Sequence, residues 1–208
     1  MADSSSPRIF LLGATGRTGR EVLRVALGRG HRVTALVRSP AQLPEHELLT
    51  VLKGDARRSD DLRAGMDSSV TVLSALGRRS TSDPTLLADC AQATVDAMTA
   101  VGAQRLIVVS MALLFPDLGM LASLLRRFVF ATVLHDSEQM ESVIATSRLD
   151  WTIARPPRLT NGGRAPYRVR RDGLREGGRS ISRASLAEFL VDEAERREHT
   201  GAVVGVSR

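Results

Sequence analysis

Apolar positions along the chain follow two rhythms. Short runs that are almost wholly apolar or β-branched alternate with longer stretches of helical period, the pattern of βαβ units stacked on a parallel sheet. Arg8 to Leu12 predicts a first strand, followed by a glycine-rich turn and a helix from about Thr18 to Arg29, which Gly28 and Gly30 end. His31–Val37, Leu48–Lys53 and Val70–Ser74 predict the second, third and fourth strands. Pro84 suits a first helical turn, and that helix continues to about Val101 before a fifth strand at Arg105–Ser110. A helix ending near Ser147 precedes a sixth strand, Asp150–Arg155. Pro156–Arg179 is rich in Gly, Pro and Arg, so it predicts loops and one short strand around Tyr167. Ser182–Arg197 predicts a helix with Ser182, or alternatively Ser185, as N-cap, and Ala202–Val206 a last strand. No repeat, heptad or linker divides the chain. The expected fold is α/β, a doubly wound and mostly parallel sheet in the order 3-2-1-4-5-6 plus a short C-terminal strand.

The turn after the first strand reads Gly13-Ala14-Thr15-Gly16-Arg17-Thr18-Gly19. Gly13 suits the tight turn, Gly16 a close approach of backbone to a pyrophosphate, and Gly19 close packing of helix on strand. The helix that opens there offers free N–H groups and the positive end of its dipole to phosphates. A strand before the turn, a helix after it and further βαβ units are the context that gives a glycine triplet meaning. The expectation is a single Rossmann domain over residues 1–208 that binds a dinucleotide.

Composition narrows the setting. The 208 residues carry 43% hydrophobic and 25% charged side chains, enough for one sizeable core. A net charge of +6 raises a nucleic-acid reading. However, the cations run from Arg8 to Arg208, all but Lys53 are arginines, and only 3% of residues are aromatic. Solvated arginine faces fit better than a stacking platform, so no nucleic-acid partner is expected. No apolar stretch reaches the roughly 20 residues of a membrane span, and the first residues lack a secretory pattern. The lone Cys90 leaves no disulfide framework, and His31, His46, His135 and His199 lack ligand spacing, so no metal is expected. The expectation is a cytoplasmic protein, monomer or homodimer.

Which dinucleotide follows from the end of the second strand. An acidic residue there takes the ribose 2′-hydroxyl of NAD, whereas a 2′-phosphate needs a cation. Here the strand ends Leu36-Val37-Arg38-Ser39, with no acid before Glu45. Arg38 can fork onto the phosphate and Ser39 can donate a hydroxyl, with Arg17 a second candidate cation, so the expected cofactor is NADP(H). After the third strand, Asp55 and Ala56 meet the adenine edge, although Asp55 could equally cap a helix near Ser59. Ala75-Leu76-Gly77, after the fourth strand, lines the middle of the cofactor.

The glycine turn, the Gly54-Asp55 step, a fifth strand ending in Ser110, and Arg155-Pro156-Pro157 after the sixth together resemble the atypical short-chain dehydrogenase/reductases. Among these the chain is most similar to the biliverdin reductase B / flavin reductase and NmrA-like NAD(P)H-binding group, over nearly its whole length. The resemblance implies that Ser110 is the catalytic hydroxyl, with Ser110, Met111, Arg155, Pro156 and Pro157 about the nicotinamide. Two histidines of the mammalian-type biliverdin reductases are replaced here by Arg158 and Ser137, which argues against a tetrapyrrole substrate. Arg158 could instead grip a carboxylate or phosphate.

Typical short-chain dehydrogenases protonate an alcohol oxygen with a tyrosine and a lysine four residues later. Here the only tyrosine is Tyr167 and the only lysine Lys53, so that pair cannot form. Hydride delivery to a conjugated acceptor needs no such pair, because charge spreads over the acceptor and solvent supplies the proton. The expected function is therefore an NADPH-dependent reductase acting on a flavin, a quinone or a similar small conjugated molecule. Two alternatives stay open: an NmrA-like NADP(H)-sensing binding protein, and a tailoring enzyme of specialised metabolism. Substrate-side segments are expected at 111–134 and 156–181. Phe115, Leu118, Met120, Leu121, Leu124, Leu125, Phe128 and Val129 recur at spacings that give a helix one apolar face. That face forms a wall or lid over the nicotinamide, with Phe115 and Leu118 touching substrate, or else packs in the core or against a second copy.

Overall fold

The computed structural model describes residues 7–40, 43–77, 83–116 and 131–208. Strands β1 (Arg8–Leu12), β2 (Val33–Val37), β3 (Leu49–Lys53), β4 (Val70–Ser74), β5 (Arg105–Val109) and β6 (Asp150–Arg155) are parallel, with four α-helices between them among the described residues. These are α1 (Arg17–Gly28), α2 (Ser59–Arg63), α3 (Leu86–Val101) and α4 (Ala131–Ala145). After β6 come β7 (Arg158–Thr160), β8 (Arg168–Arg171), β9 (Ser180–Ser182), α5 (Arg183–Arg196) and β10 (Ala202–Ser207). The large sheet has the order β3-β2-β1-β4-β5-β6-β10-β8, in which β8 alone is antiparallel. A doubly wound, mostly parallel sheet is thus the observed fold, and its first six strands stand in the expected order.

The reason lies in the strands. Alternate side chains leave a strand on opposite faces, and both faces here are covered, so the strands read as nearly unbroken apolar runs. In β1, Ile9 and Leu11 enter a layer with Val22 and Ala26 of α1 and Leu186 and Leu190 of α5. Phe10 and Leu12 enter the opposite layer with Leu62 of α2, Leu87 and Met98 of α3 and Ile144 of α4. All four β1 residues are at most 1% exposed, and each such burial contributes roughly 1.5–3 kcal/mol.

Polar anchors join these layers. Asp136, 0% exposed on α4, accepts the backbone N–H groups of Leu87 (3.1 Å) and Ala88 (3.0 Å), so one helix caps the N-terminus of another. At the amino-terminal edge of β5, buried Arg105 donates to Glu193 of α5 at 2.5 Å, to the Thr152 hydroxyl at 2.7 Å and to the Asp150 carbonyl at 2.8 Å. His199 Nδ1 lies 2.7 Å from the other oxygen of Glu193.

The structure departs from the sequence reading in two places. β2 begins at Val33 rather than His31, because the His31 N–H closes the end of α1 on the Ala26 carbonyl. Residues 156–179 hold two short strands, β7 and β8, rather than one, and β9 follows at Ser180–Ser182. Leu159 and Ile181 supply the apolar contacts that seat the separate parallel pair β7 and β9, too few for a visible pattern. The apolar positions Leu118, Met120, Leu121, Leu124, Leu125, Phe128 and Val129 lie outside the described residues.

Candidate cofactor and active site

The glycine turn bridges the end of β1 and the start of α1. Gly13 has φ +82°, in the left-handed region that suits glycine, and a Cβ there would stand 2.6 Å from the Ala75 carbonyl oxygen. A Cβ on Gly19 would lie 2.0 Å from the Gly13 carbonyl oxygen, so only glycine lets helix and turn approach this closely. Gly16 is the N-cap, and its N–H donates to Gly13 at 2.9 Å. Among the described residues no side chain caps α1 and no acid stands in its first turn. The first N–H groups of the helix therefore face outward, an arrangement suited to a phosphate.

From this turn a cleft of about 310 Å³ runs across the carboxyl ends of β1, β2, β3 and β4. Gly13, Thr15 and Gly16, after β1, line its middle, with Ala75, Leu76 and Gly77 on the β4 side and Arg38, Asp55 and Ala56 on the β2–β3 side. A Cβ on Gly77 would meet nothing within 4 Å, so at Gly77 this wall is backbone open to the cleft. Arg38 is exposed at the tip of β2. Neighbouring Ser39 is exposed but is not part of the cleft lining, and Arg17 and Thr18 lie on the first turn of α1.

Asp55 does not cap α2, whose N-cap is Arg58 without a side-chain bond. Its carboxylate accepts the Arg57 N–H at 3.0 Å, and its own N–H donates to Asp61 at 2.8 Å. The backbone hydrogen bond from Arg57 is the largest influence holding the Asp55 carboxyl below the usual carboxylate range, helped by the Arg57 and Arg38 charges. Asp55 is therefore ionised, an acceptor only. Arg57 continues to Asp83 at 2.9 Å, closing that side of the cleft. Cys90 faces the cleft floor, and burial pushes its thiol up to about 12, so it stays an uncharged packing group.

Beyond β4, the carboxyl ends of β5 and β6 carry a second group of residues. The Ser110 N–H donates to Ala154 at 2.8 Å and the Ala112 N–H to Pro156 at 2.9 Å, which fixes the two strand ends side by side. The Ser110 hydroxyl donates to Glu141 Oε1 at 2.5 Å. Arg155 holds the same carboxylate through Nε at 3.0 Å and Nη2 at 2.5 Å, and its guanidinium lies 4.8 Å from the centre of the Phe115 ring. Met111 begins the turn that leads into Ala112–Leu114, and Pro156 is buried while Pro157 is half-buried.

Phe115 is 2% exposed, so the structure places it in packing beneath Arg155 rather than on an open substrate wall. Leu118, its expected companion, lies outside the described residues. Arg158 is exposed on β7, and the Ser137 hydroxyl is turned inward to the Val133 carbonyl at 2.8 Å.

Two residues escaped the sequence reading. Glu141 sits on the inward stripe of α4, where Leu134, Ser137, Glu141 and Ile144 are all buried. An acid at a core-facing helical position was the available signal. Arg183 opens α5, donates to Asn161 at 2.7 Å, and is held below its ordinary pKa first by burial and then by the nearby charge of Arg17. Only the packing of α1 beside α5 brings those two cations together. Among the described residues no group of His, Cys, Asp and Glu could hold a metal, and no helix is long and apolar enough to cross a membrane.

Tyr167 lies elsewhere. It borders an open cleft of about 940 Å³ at the other end of α1, with Arg29, Glu188 and Asp192. Its hydroxyl donates to Asp192, and Arg29 is paired with Glu188, with Asp192 at 2.7 Å and with Glu195 at 3.1 Å.

Residues 13–197 match the model of the NAD(P)H-binding family. The chain belongs to that family. YwnB, an uncharacterized protein of Bacillus subtilis strain 168, is 27% identical over 92% of this chain and 94% of its own. A wide-type short-chain dehydrogenase/reductase of Veillonella parvula, solved in complex with NADP, superposes with a TM-score of 0.84 at 20% identity, covering 97% of this chain and 94% of that one. A Rossmann-fold NAD(P)-binding protein of Shigella flexneri superposes with a TM-score of 0.75 at 24% identity, covering 97% and 93%. The superpositions establish the Rossmann fold, and NAD(P)H binding is the property of the matched family.

Proposed function

We propose that this member of the NAD(P)H-binding family is an NADPH-dependent reductase whose acceptor is a flavin, a quinone or a similar conjugated molecule. The observation that carries the reading is the order of groups along one carboxyl edge: Asp55 after β3, Arg38 after β2, the uncapped start of α1 after β1, Ala75–Gly77 after β4 and Ser110 after β5. In this reading Gly13, Gly16 and the first turn of α1 take the diphosphate. Arg38, with Ser39 beside it, takes the 2′-phosphate. Ionised Asp55 accepts the adenine amino group, and Ala75–Gly77 keeps the wall bare for the middle of the cofactor. Bound NADPH supplies a hydride.

The polar side chains on the β5–β6 edge supply position rather than protons. The Ser110 hydroxyl is already bonded to Glu141, and Glu141 is bonded to Arg155. Tyr167, the only tyrosine, is bonded to Asp192 at the other end of α1. Such a site suits an acceptor that spreads the incoming charge and takes its proton from water.

NADPH and NADH consumption with riboflavin, FMN and a set of quinones tests the reading. Turnover of at least one acceptor, with NADPH preferred, is expected. Tight NADPH binding without turnover of any acceptor overturns the reductase. Unequal affinities for NADP⁺ and NADPH in that case would support the sensing protein.

A further inference from the structure

Glu141 decides which way the Ser110 hydroxyl points. A serine hydroxyl carries one proton and two lone pairs. Here the proton goes inward to Glu141 Oε1 at 2.5 Å. Arg155 pairs with both oxygens of that carboxylate, so Glu141 serves Ser110 as an acceptor. The Glu141 side chain is 9% exposed and that of Arg155 15%. Reversing the Ser110 bond would require a neutral Glu141 facing an unpaired, buried guanidinium. The backbone N–H groups of Ser110 and Ala112 are tied to the β6 end, which fixes where the side chain starts, and the bond to Glu141 selects the direction of the hydroxyl. Toward the open edge Ser110 therefore offers lone pairs only, and its complement is an N–H donor.

We propose that Glu141 is a positioning residue that fixes Ser110 as a hydrogen-bond acceptor for the carboxamide N–H of the cofactor's nicotinamide. This rests on the reading that the carboxyl ends of β5 and β6 receive the nicotinamide. It adds a residue from α4 to the site, and it assigns Ser110 the recognition of the carboxamide instead of proton donation.

The test compares the binding of NADP⁺ with that of its 3-acetylpyridine analogue, in which a methyl ketone replaces the carboxamide and no N–H remains. Calorimetry reads both affinities without turnover. The wild-type protein is expected to favour NADP⁺ about three- to ten-fold, the span of one hydrogen bond. Ser110→Ala brings that ratio to about one, and Ser110→Thr, which keeps the hydroxyl, retains it. Glu141→Gln also brings the ratio toward one, since a glutamine amide can donate to Ser110 and occupy a lone pair. The double variant is no worse than Ser110→Ala, as expected of a residue acting through another. Binding of 2′,5′-ADP, which has no nicotinamide, stays unchanged in all of them, so general damage to the fold is told apart from loss of recognition. If Glu141→Gln does not fold, Glu141→Asp takes its place, its shorter carboxylate failing to reach Ser110.

An unchanged ratio in Ser110→Ala, or in a folded Glu141 variant, overturns the proposal, as does a wild-type ratio of one. The reductase reading fails separately: absence of turnover removes it and leaves the binding ratios standing.

Discussion

Replacing Arg38 with alanine isolates the choice of cofactor. The guanidinium stands exposed at the tip of β2 and lines the cleft, within reach of the Asp55 charge. Losing a hydrogen bond to a charged group costs about 1.5–3 kcal/mol, which corresponds to roughly 10- to 150-fold in affinity. Exposure and competition from Asp55 pull the value toward the lower end, so about ten-fold weaker NADPH binding is expected at moderate salt. NADH has no 2′-phosphate, and its affinity should change by less than about two-fold. Titration of each nucleotide by its nicotinamide fluorescence, at low and moderate ionic strength, supplies the numbers. The wild-type preference for NADPH should shrink as salt rises, and the variant should lack that salt dependence. Equal losses for the two nucleotides would show that Arg38 supports the cleft without reading the phosphate.

Further expectations concern single residues. Phe115→Ala removes a buried ring beneath Arg155, an exchange that costs about 3–5 kcal/mol, and should lower the Tm by roughly 6–20 °C in a chain of this size. A raised KM for the acceptor at unchanged Tm would contradict that placement and restore Phe115 to a substrate wall. Glu193→Ala strands the buried Arg105 charge and should destabilise by about 3–5 kcal/mol in denaturant unfolding, whereas a loss under 1 kcal/mol would mean the charge is hydrated. Asp55 has a folded pKa below its unfolded value, so its contribution is complete above the unfolded pKa and is lost as pH falls through the folded one. NADPH affinity should accordingly show no Asp55-linked loss between pH 5 and 8, and a titration centred there that disappears in Asp55→Asn would refute this.

The fold was legible because a parallel sheet covered on both faces leaves a strong trace. β1 and β4 are runs of almost wholly apolar or β-branched residues, and the glycine turn marks the carboxyl edge. Local chemistry was legible too, since Ser182 accepts the Ser185 N–H as the N-cap of α5. The polar links across elements were not. Glu141 reaches Ser110 over 31 positions, and Asp136 caps a helix 49 positions away; neither neighbourhood in the sequence hints at its partner. Asp55 shows the reverse case, where two local roles were open and the backbone of Arg57, rather than α2, took the carboxylate. Strands as short as β7 and β9 carry one inward apolar residue each and cannot build a period.

Anaerobic mixing of the NADPH-loaded protein with oxidised FMN, or with a quinone, tests the central claim most directly, with NADPH and the acceptor followed at separate wavelengths. The account predicts that both signals decay together, that deuterium on the transferring carbon of NADPH slows both, and that deuterated solvent has little effect. NADPH that stays bound and unoxidised in front of every acceptor, or a decay that depends on solvent deuterium alone, would contradict it.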